Sequence, residues 1–353
     1  MVLLVVPGIV ALIVEPFVFL LADRYPRRWF IRAGMAGMAI AAAVAALAPN
    51  GVVLSIALSL FFFSTGTATA LAQATLVDRS PEPGRTMARW ALISTIGDLG
   101  APALFAVLAI FDRGWRSAFG VTAIVLGVAT LGLTAVDIPG EGSGDDETPL
   151  WRTLWSALRD RRLVAWLFAM ALCDLLDEIV IIFASLHVEH DLHGGPFLVS
   201  AVVAALVAGA AIGLVQVDRL LKRRAELTVL TMSAIACAVS YLAWLLAPEP
   251  WLAVVLMIPV GMFSAPLYPL AAAQAYKLRP GESGAVLAAG HVFTPFGLAL
   301  PWLLGLAADH WGTLVALSLL VIEPIGIAIL ALLARRAVHP GGTGGAGSVD
   351  AVE

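Results

Sequence analysis

The sequence predicts an all-α polytopic membrane protein built from two similar helical bundles, and three observations support this. Of its 353 residues, 60% are hydrophobic and only 13% are charged, with a mean hydropathy of +0.94, whereas soluble domains are about 45–50% apolar and about 25% charged. The apolar residues form long runs without the alternation typical of strands. A charged pattern, D-R-x-x-[RK]-R, occurs at 23–28 and again 195 residues later at 218–223, each time at the end of an apolar run.

Eleven apolar runs are long enough to cross a membrane, which takes about 20 mainly apolar residues. They are expected to be helices, because a helix satisfies its own backbone groups in lipid. The first run lacks the basic start and cleavage site of a signal peptide and is interrupted by Glu15, so it is interpreted as a mature helix. The predicted spans are 1–22, 30–48, 52–77, 90–111, 117–136, 163–188, 196–217, 227–247, 251–276, 283–308 and 313–334.

Lysine and arginine predict the orientation of these spans. Six segments on one side of the predicted membrane hold 19 of the chain's 21 basic residues: 24–32, 79–89, 152–162, 219–224, 277–279 and 335–336. The positive-inside rule places this side in the cytoplasm. We therefore expect a multi-pass protein of the cell (plasma or inner) membrane with a cytoplasmic C-terminus.

The repeat predicts the domain organisation. Pro83-Gly84 matches Pro280-Gly281 at an offset of 197. Subtracting 195 from the span 163–188 places its partner before residue 1, so the first helix of a twelve-helix protein is expected to be missing, although a genuine eleven-helix protein remains open. The predicted units are an N-terminal bundle (1–136), a cytoplasmic linker (137–162), a C-terminal bundle (163–336) and a disordered cytoplasmic tail (337–353).

The linker contains a short amphipathic pattern. Trp151, Leu154, Trp155 and Leu158 are spaced as one face of a helix, and four arginines nearby could meet lipid headgroups. The pattern favours a helix lying on the inner membrane surface, with a flexible linker as the alternative.

The chain resembles the major facilitator superfamily over essentially its whole length. The resemblance rests on the D-R-x-x-R-R loop, its weaker copy, the linker between the halves and Gly114-Trp115-Arg116, which is similar to the family's loop between helices five and six. It implies two pseudo-symmetric six-helix bundles, of which this chain has family helices two to twelve. It also implies that the loop closes the cytoplasmic side, which assigns gate roles to the charged residues Asp23, Arg24, Arg27, Arg28, Asp218 and Arg219.

The sequence departs from the family pattern at three positions. Phe19 and Pro26 stand where the family has glycine. Phe62 occupies the place of the family's helix-four arginine, four residues before Gly66. The proton-transfer role of that arginine therefore cannot be carried over to this chain.

Candidate site residues are the ionisable groups inside the predicted spans, because such groups are costly in a membrane and usually functional. Six acids and one well-embedded histidine qualify, but no lysine or arginine does, which favours protons or cationic substrates over anions. These residues are Glu15, Asp98, Asp174, Asp177, Glu178, Glu323 and His291.

Asp174, Asp177 and Glu178 give the strongest signal, because spacings of three and four residues bring their carboxylates together on one helix. Close carboxylates in a low-dielectric setting cannot all ionise cheaply, so this cluster is expected to exchange protons or bind substrate. A neutral, hydrogen-bonded packing element or a position near the outer surface are the alternatives.

The other embedded groups are more ambiguous. Glu15 precedes Pro16 and suits function or helix packing equally. Asp98 lies in a Gly- and Pro-containing segment, and His291 could relay protons with it or be a structural histidine. Glu323 is expected to pack or to snorkel towards lipid. Polar residues that could shape a cavity are Gln73, Tyr268, Gln274 and Tyr276.

The expected function is secondary active transport by alternating access, with proton-coupled export of a hydrophobic or cationic compound favoured. Proton-coupled import of a neutral nutrient such as a sugar, or a truncated non-transporting relative, remain open.

A membrane enzyme is disfavoured. The acidic residues at 174–178 lie in the middle of a span, and the sequence lacks the second acidic motif and the basic residues that diphosphate chemistry needs. No ATP-binding motif occurs, and two cysteines cannot build a disulfide framework or metal cluster. The expected partners are a small-molecule substrate, protons and the lipid bilayer, with no cofactor, no nucleic acid and a monomeric state.

Overall fold

The computed structural model describes residues 2–136, 138 and 149–338, which contain helices and no strand. A π-helical turn, Leu175–Ile179, and a 3-10 turn, His291–Phe293, join helices end to end, and a second π-helical turn, His187–Asp191, extends the helix Val180–Leu186. The α-helices are α1 (Val2–Arg24), α2 (Arg27–Leu47), α3 (Gly51–Asp78), α4 (Pro83–Asp98), α5 (Gly100–Ile110), α6 (Trp115–Thr134), α7 (Leu150–Arg159), α8 (Arg161–Asp174), α9 (Val180–Leu186), α10 (Pro196–Leu220), α11 (Glu226–Leu245), α12 (Pro250–Ser264), α13 (Leu267–Leu278), α14 (Ser283–Gly290), α15 (Thr294–Trp311), α16 (Thr313–Leu319) and α17 (Ile322–Val338).

The helices confirm the predicted all-α polytopic class. Among the described residues, nine helical stretches have the length and hydropathy of a membrane span. The two remaining predicted spans coincide with α1 and with the helical run from α8 to the second π-helical turn. Most of the predicted tail, and the linker before Pro149 apart from Ile138, lie outside the described residues.

Breaks divide several spans into two helices, and the sequence accounts for two of them. Proline has no backbone N–H and so removes a helical hydrogen bond. Pro266 lies between α12 and α13, and Pro295 follows the 3-10 turn between α14 and α15. Each of these two breaks allows the two helices of its span to point in different directions.

Glycines let α10 and α12 pack with their backbones in contact. A Cβ atom at Gly209, Gly213 or Gly261 would collide with a backbone carbonyl of the facing helix. Small residues at helix contacts are a common means of association in membranes, where packing replaces the hydrophobic effect.

We expect Gly213→Ala to lower the thermal unfolding temperature of the purified protein. Alanine would raise helix propensity by about 1 kcal/mol, but its Cβ meets the rigid carbonyl of Met262, and overpacking costs about 1–3 kcal/mol. Gly127→Ala is the matched control, because a Cβ there enters open space. Equal or higher stability of Gly213→Ala than of the control would contradict the packing argument.

The main contacts between the N-terminal and C-terminal helices lie at one end of the spans. We call this the basic end, because the helix ends there carry the lysine and arginine segments described above. There α1 packs against α14, α3 against α13 and α14, and α4 against α10 and α13. At the opposite end, the main contacts of α5 and α15 stay within their own halves. Among the described residues, the main contacts between the two halves thus lie at the basic end.

The linker contains the helix α7, which packs on α8, α14 and α1. Trp151 and Trp155 are exposed on it, and the guanidinium groups of Arg152 and Arg159 each lie 5.5 Å from one of their ring centroids. This arrangement fits a helix at a membrane surface, which remains a prediction.

Candidate functional site

A cavity of about 390 Å³ lies among α8, the first π-helical turn, α13, α14 and α15. Most of its wall is apolar. Its polar side chains are Glu178, Tyr268, Tyr276, His291 and Thr294, and no lysine or arginine is found among the described residues that line it. Four residues singled out from the sequence, Glu178, His291, Tyr268 and Tyr276, are therefore brought to one cavity.

A π-helical turn carries the central acids. Asp177 and Glu178 both lie in Leu175–Ile179 and are exposed. Glu178 and Asp98, which is on α4, both lie within electrostatic range of Asp177. The structure thus brings an acid of the N-terminal half close to two acids of the C-terminal half. Asp174 ends α8, and its side chain lies outside the described part of the structure.

Glu323 supports this π-helical turn from behind. Its carboxylate accepts a hydrogen bond from the N–H of Leu176 at 2.7 Å, and the residue is only 1% exposed. The expectation that it could face lipid is wrong, and the packing interpretation is the one that agrees with its burial. A π-turn changes the regular helical hydrogen-bond pattern, and here a buried side chain from another helix binds one of its N–H groups.

We expect Glu323→Leu to destabilise the protein and to weaken transport through the position of Glu178. The substitution leaves the N–H of Leu176 without its carboxylate, and an unsatisfied buried donor costs about 1–3 kcal/mol. Glu323→Gln keeps an acceptor oxygen and should recover most of the stability. Thermal unfolding of both variants tests this, and equal stability of the two would exclude the proposed hydrogen bond as the cause.

Glu15 and His291 form a contact between the two halves. The Nε2 atom of His291 lies 3.2 Å from the Oε2 atom of Glu15, which is 6% exposed. The ring of Phe19 lies 5.3 Å from the imidazole, centroid to centroid. Gly66 makes room for the Glu15 carboxylate, because a Cβ there would collide with it. Glu15 is therefore enclosed by α3 and by the break in the α14–α15 span.

The predicted relay from His291 to Asp98 does not match this geometry. His291 contacts Glu15 on α1, whereas Asp98 acts on Asp177. The two residues lie in the predicted spans 90–111 and 283–308, which the 195-residue repeat relates to each other as mates. Repeat mates occupy equivalent places in the two halves and each packs against the opposite half, so they need not face each other.

Two predicted cavity residues lie elsewhere. The Nε2 group of Gln73 lies 3.3 Å from the sulfur of Met87, between α3 and α4. The Nε2 group of Gln274 donates to Glu226 at 2.8 Å, at the basic end. Neither residue lines the cavity described above.

The first contact that closes the basic end is centred on Asp23, which is 8% exposed. Its carboxylate accepts from the backbone N–H groups of Gly284 and Ala285, at 2.9 and 2.8 Å, and from Arg27 at 2.8 Å. These N–H groups open α14, and a helix N-terminus favours an anion. Arg27 also donates to Asp78 at 2.6 Å, and the hydroxyl of Ser283 donates to the same carboxylate at 2.7 Å.

The second contact at the basic end is centred on Asp218, which accepts from the Nε atoms of Arg85 and Arg89, both at 2.8 Å. Beside it, the N–H of Gly84 donates to Glu226 at 3.1 Å. The repeated acids at 23 and 218 therefore both join the halves, but one binds a helix N-terminus and the other binds arginines.

Gly84 and Gly284 play equivalent parts, which corrects the sequence alignment that paired Gly84 with Gly281. Each lies one residue after a helix start, and its N–H donates to a carboxylate of the other half. A Cβ at either would collide with that carboxylate. Gly281 instead has a φ of +81° in the turn before α14.

Several residues that join the halves at the basic end were not predicted from the sequence, and three predicted gate residues have no ion pair in the described part of the chain. Arg24, Arg28 and Arg219 form no ion pair among the described residues. Charge at helix ends could have signalled the missed residues, but their partners lie on distant parts of the chain. The missed residues are Asp78, Arg85, Arg89, Glu226 and Ser283.

Among the solved structures similar to this chain are three of low sequence identity. A variant of the E. coli fucose:proton symporter FucP has 16% identity and a TM-score of 0.76, with 94% of this chain and 90% of that chain covered. FucP in the outward conformation has 16% identity and a TM-score of 0.73, with 92% and 87% covered. The human organic anion transporter MFSD10 (TETRAN) has 13% identity and a TM-score of 0.72, with 94% and 83% covered. At these identities the likeness shows the fold alone.

Comparison of the sequence itself gives the family. No curated protein matches the chain. The family model described as Major Facilitator Superfamily matches residues 1–300. With its membrane-spanning helices and its two halves joined at the basic end, the chain belongs to the major facilitator superfamily.

Proposed function

We propose that this secondary transporter exports a hydrophobic or cationic small molecule in exchange for protons. The observation that carries the proposal is the cavity, whose wall is mostly apolar. Among the described residues that line it, Glu178 is the one carboxylate, and no lysine or arginine is present. Such a surface suits a ligand that is apolar, positively charged or both, and it offers no cation to an organic anion.

Repulsion between the acids of the two halves gives a physical basis for coupling proton movement to substrate movement. Asp98 and Asp177 come from opposite halves, and their charges already interact. Closing the outer end would bring them into a drier space, where two like charges about 4 Å apart repel by about 4 kcal/mol at an effective dielectric of 20. One bound proton or one bound cation relieves this repulsion, so either of them would permit closure and the empty carrier would not close.

The arrangement of the helices agrees with an outward-facing state. The basic end, which the distribution of charge predicts to be cytoplasmic, is closed by Asp23 and Asp218. A proton arriving from outside would neutralise an acid of the cavity and release the cation. Breaking the contacts at the basic end would then expose the site to the cytoplasm.

Transport by purified protein in liposomes tests the proposal. We expect a lipophilic cation to move against an imposed proton gradient, with proton flux in the opposite direction, and Asp177→Asn to lose this coupled flux. Glu189→Gln is the control, because Glu189 is an exposed acid that does not belong to the group formed by Asp98, Asp177 and Glu178. Coupled transport by Asp177→Asn at the wild-type rate and with the wild-type pH dependence would overturn the assignment of the coupling site.

Proton-coupled import of a neutral sugar is the second candidate. The structural likeness to a fucose:proton symporter favours it, and so do the two tyrosines of the cavity, because hydroxyl groups can bind sugar hydroxyls. The same liposomes distinguish the two functions. Fucose moving in the same direction as protons, with no cation transport, would replace export by import.

A further inference from the structure

A second cavity, of about 920 Å³, lies at the basic end of the C-terminal half. It is formed by the loop between α10 and α11, the end of α13 and the end of α17, and it does not touch the central cavity residues. Its lining holds four basic side chains, Arg224, Lys277, Arg335 and Arg336, and one acid, Glu226.

The acid of this cavity is already neutralised by the protein. Glu226 accepts from the Nζ atom of Lys277 at 2.6 Å, as well as from Gln274 and Gly84. The guanidinium groups of Arg224, Arg335 and Arg336 have no ion pair within the described part of the chain. Three positive charges therefore converge on a concave space without a protein anion to balance them.

The same cavity has an apolar side. Leu332 lies three and four residues before Arg335 and Arg336, so the three residues share one face of α17, and Leu332 is 40% exposed. Leu221, in the turn between α10 and α11, and Leu227 add to the apolar wall. Going along α17, this face changes from apolar to basic where the span ends, which is the level of the lipid headgroups.

We propose that this cavity binds the phosphodiester headgroup of an anionic phospholipid, with Arg224, Arg335 and Arg336 as its ligands and the leucines against its acyl chains. Arginine suits phosphate because its planar fork can donate two parallel hydrogen bonds. Basic pockets between membrane helices on the cytoplasmic side are a known means of recognising anionic headgroups. The apolar wall favours a lipid over the chain's own Gly-rich tail, whose two acids, Asp350 and Glu353, lie at its far end.

Lipid binding to the purified full chain, followed by native mass spectrometry, tests the proposal. We expect phosphatidylglycerol to bind more tightly than phosphatidylcholine, and Arg335→Gln/Arg336→Gln to weaken the phosphatidylglycerol complex about tenfold or more, since each basic residue near a headgroup contributes about 1 kcal/mol. Lys222→Gln/Arg223→Gln removes the same charge from the same membrane end, but these two exposed residues do not line the cavity. Thermal unfolding of both double variants checks that they remain folded.

Three outcomes would overturn the proposal. An equal loss in both double variants would mean that the lipid responds to general surface charge. Displacement of phosphatidylglycerol by millimolar inorganic phosphate, with the same stabilisation of the protein, would identify a site for free phosphate. Phosphatidylglycerol binding that appears only after deletion of residues 340–353 would identify the tail as the occupant. None of these results depends on transport, so they leave the proposed function untouched.

Discussion

Glu15→Gln is expected to make the opening of the basic end independent of pH and to abolish proton-driven accumulation of substrate. Glu15 and His291 lie 3.2 Å apart and belong to opposite halves, so α1 cannot move away from α14 without separating them. Separation would leave the buried Glu15 carboxylate without its partner, and an unsatisfied buried group costs about 1–3 kcal/mol, or more when it is charged. A proton on Glu15 removes that cost, and glutamine imitates the protonated acid.

This expectation can be measured as a distance. Tyr25 belongs to the N-terminal half and Glu282 to the C-terminal half, and both are exposed. The distance between spin labels at these two positions reports whether the basic end is open. The native cysteines are both buried and should stay unlabelled. In the wild type we expect the open fraction to rise as the pH falls, whereas Glu15→Gln should keep one distribution at every pH and still exchange substrate when no gradient is imposed.

His291→Gln provides the internal check on this result. If the two residues act as one pair, the double variant should resemble each single variant, because contacting residues are not additive. Glu189→Gln is again the charge-matched control. Additive effects in the double variant, or wild-type pH dependence in Glu15→Gln, would show that the contact does not control opening.

Asp23→Ala is expected to shift the protein strongly towards a state that is open at the basic end. The substitution removes the acceptor of two N–H groups of α14 and one partner of Arg27. Loss of one member of such a buried group costs about 3–5 kcal/mol, which is a change of about 100-fold or more in the equilibrium between the two states. The spin-label pair described above should then show a longer distance.

Asp218→Ala serves as the comparison for Asp23→Ala. Asp218 also joins the halves, but its partner Arg89 is largely exposed. Exposed ion pairs contribute only about 0–1 kcal/mol, so the shift should be much smaller than for Asp23→Ala. Asp309→Asn, an exposed acid at the opposite end, should cause none. An equal shift for Asp23→Ala and Asp218→Ala would contradict the importance of the α14 N-terminus.

The sequence by itself determined the fold class and the place of the spans. Membrane helices need long apolar runs, and these runs are local features of the chain. The duplicated D-R pattern located both acids that join the halves, because charged residues concentrate where a span leaves the membrane. The concentration of acids at 174–178 likewise needed only local spacing, and it led to Glu178 at the cavity.

Only the tertiary structure decided which residues meet. His291 contacts Glu15 and not the expected Asp98, Glu323 turns inward to bind the N–H of Leu176, and Gln274 binds Glu226 and not a substrate cavity. Helices that are apolar on all sides show no stripe that reveals which face is buried. The rotation of each helix and the docking of the two halves bring together residues that are 48 to 276 positions apart in these three pairs, and local sequence patterns contain no information about such pairs.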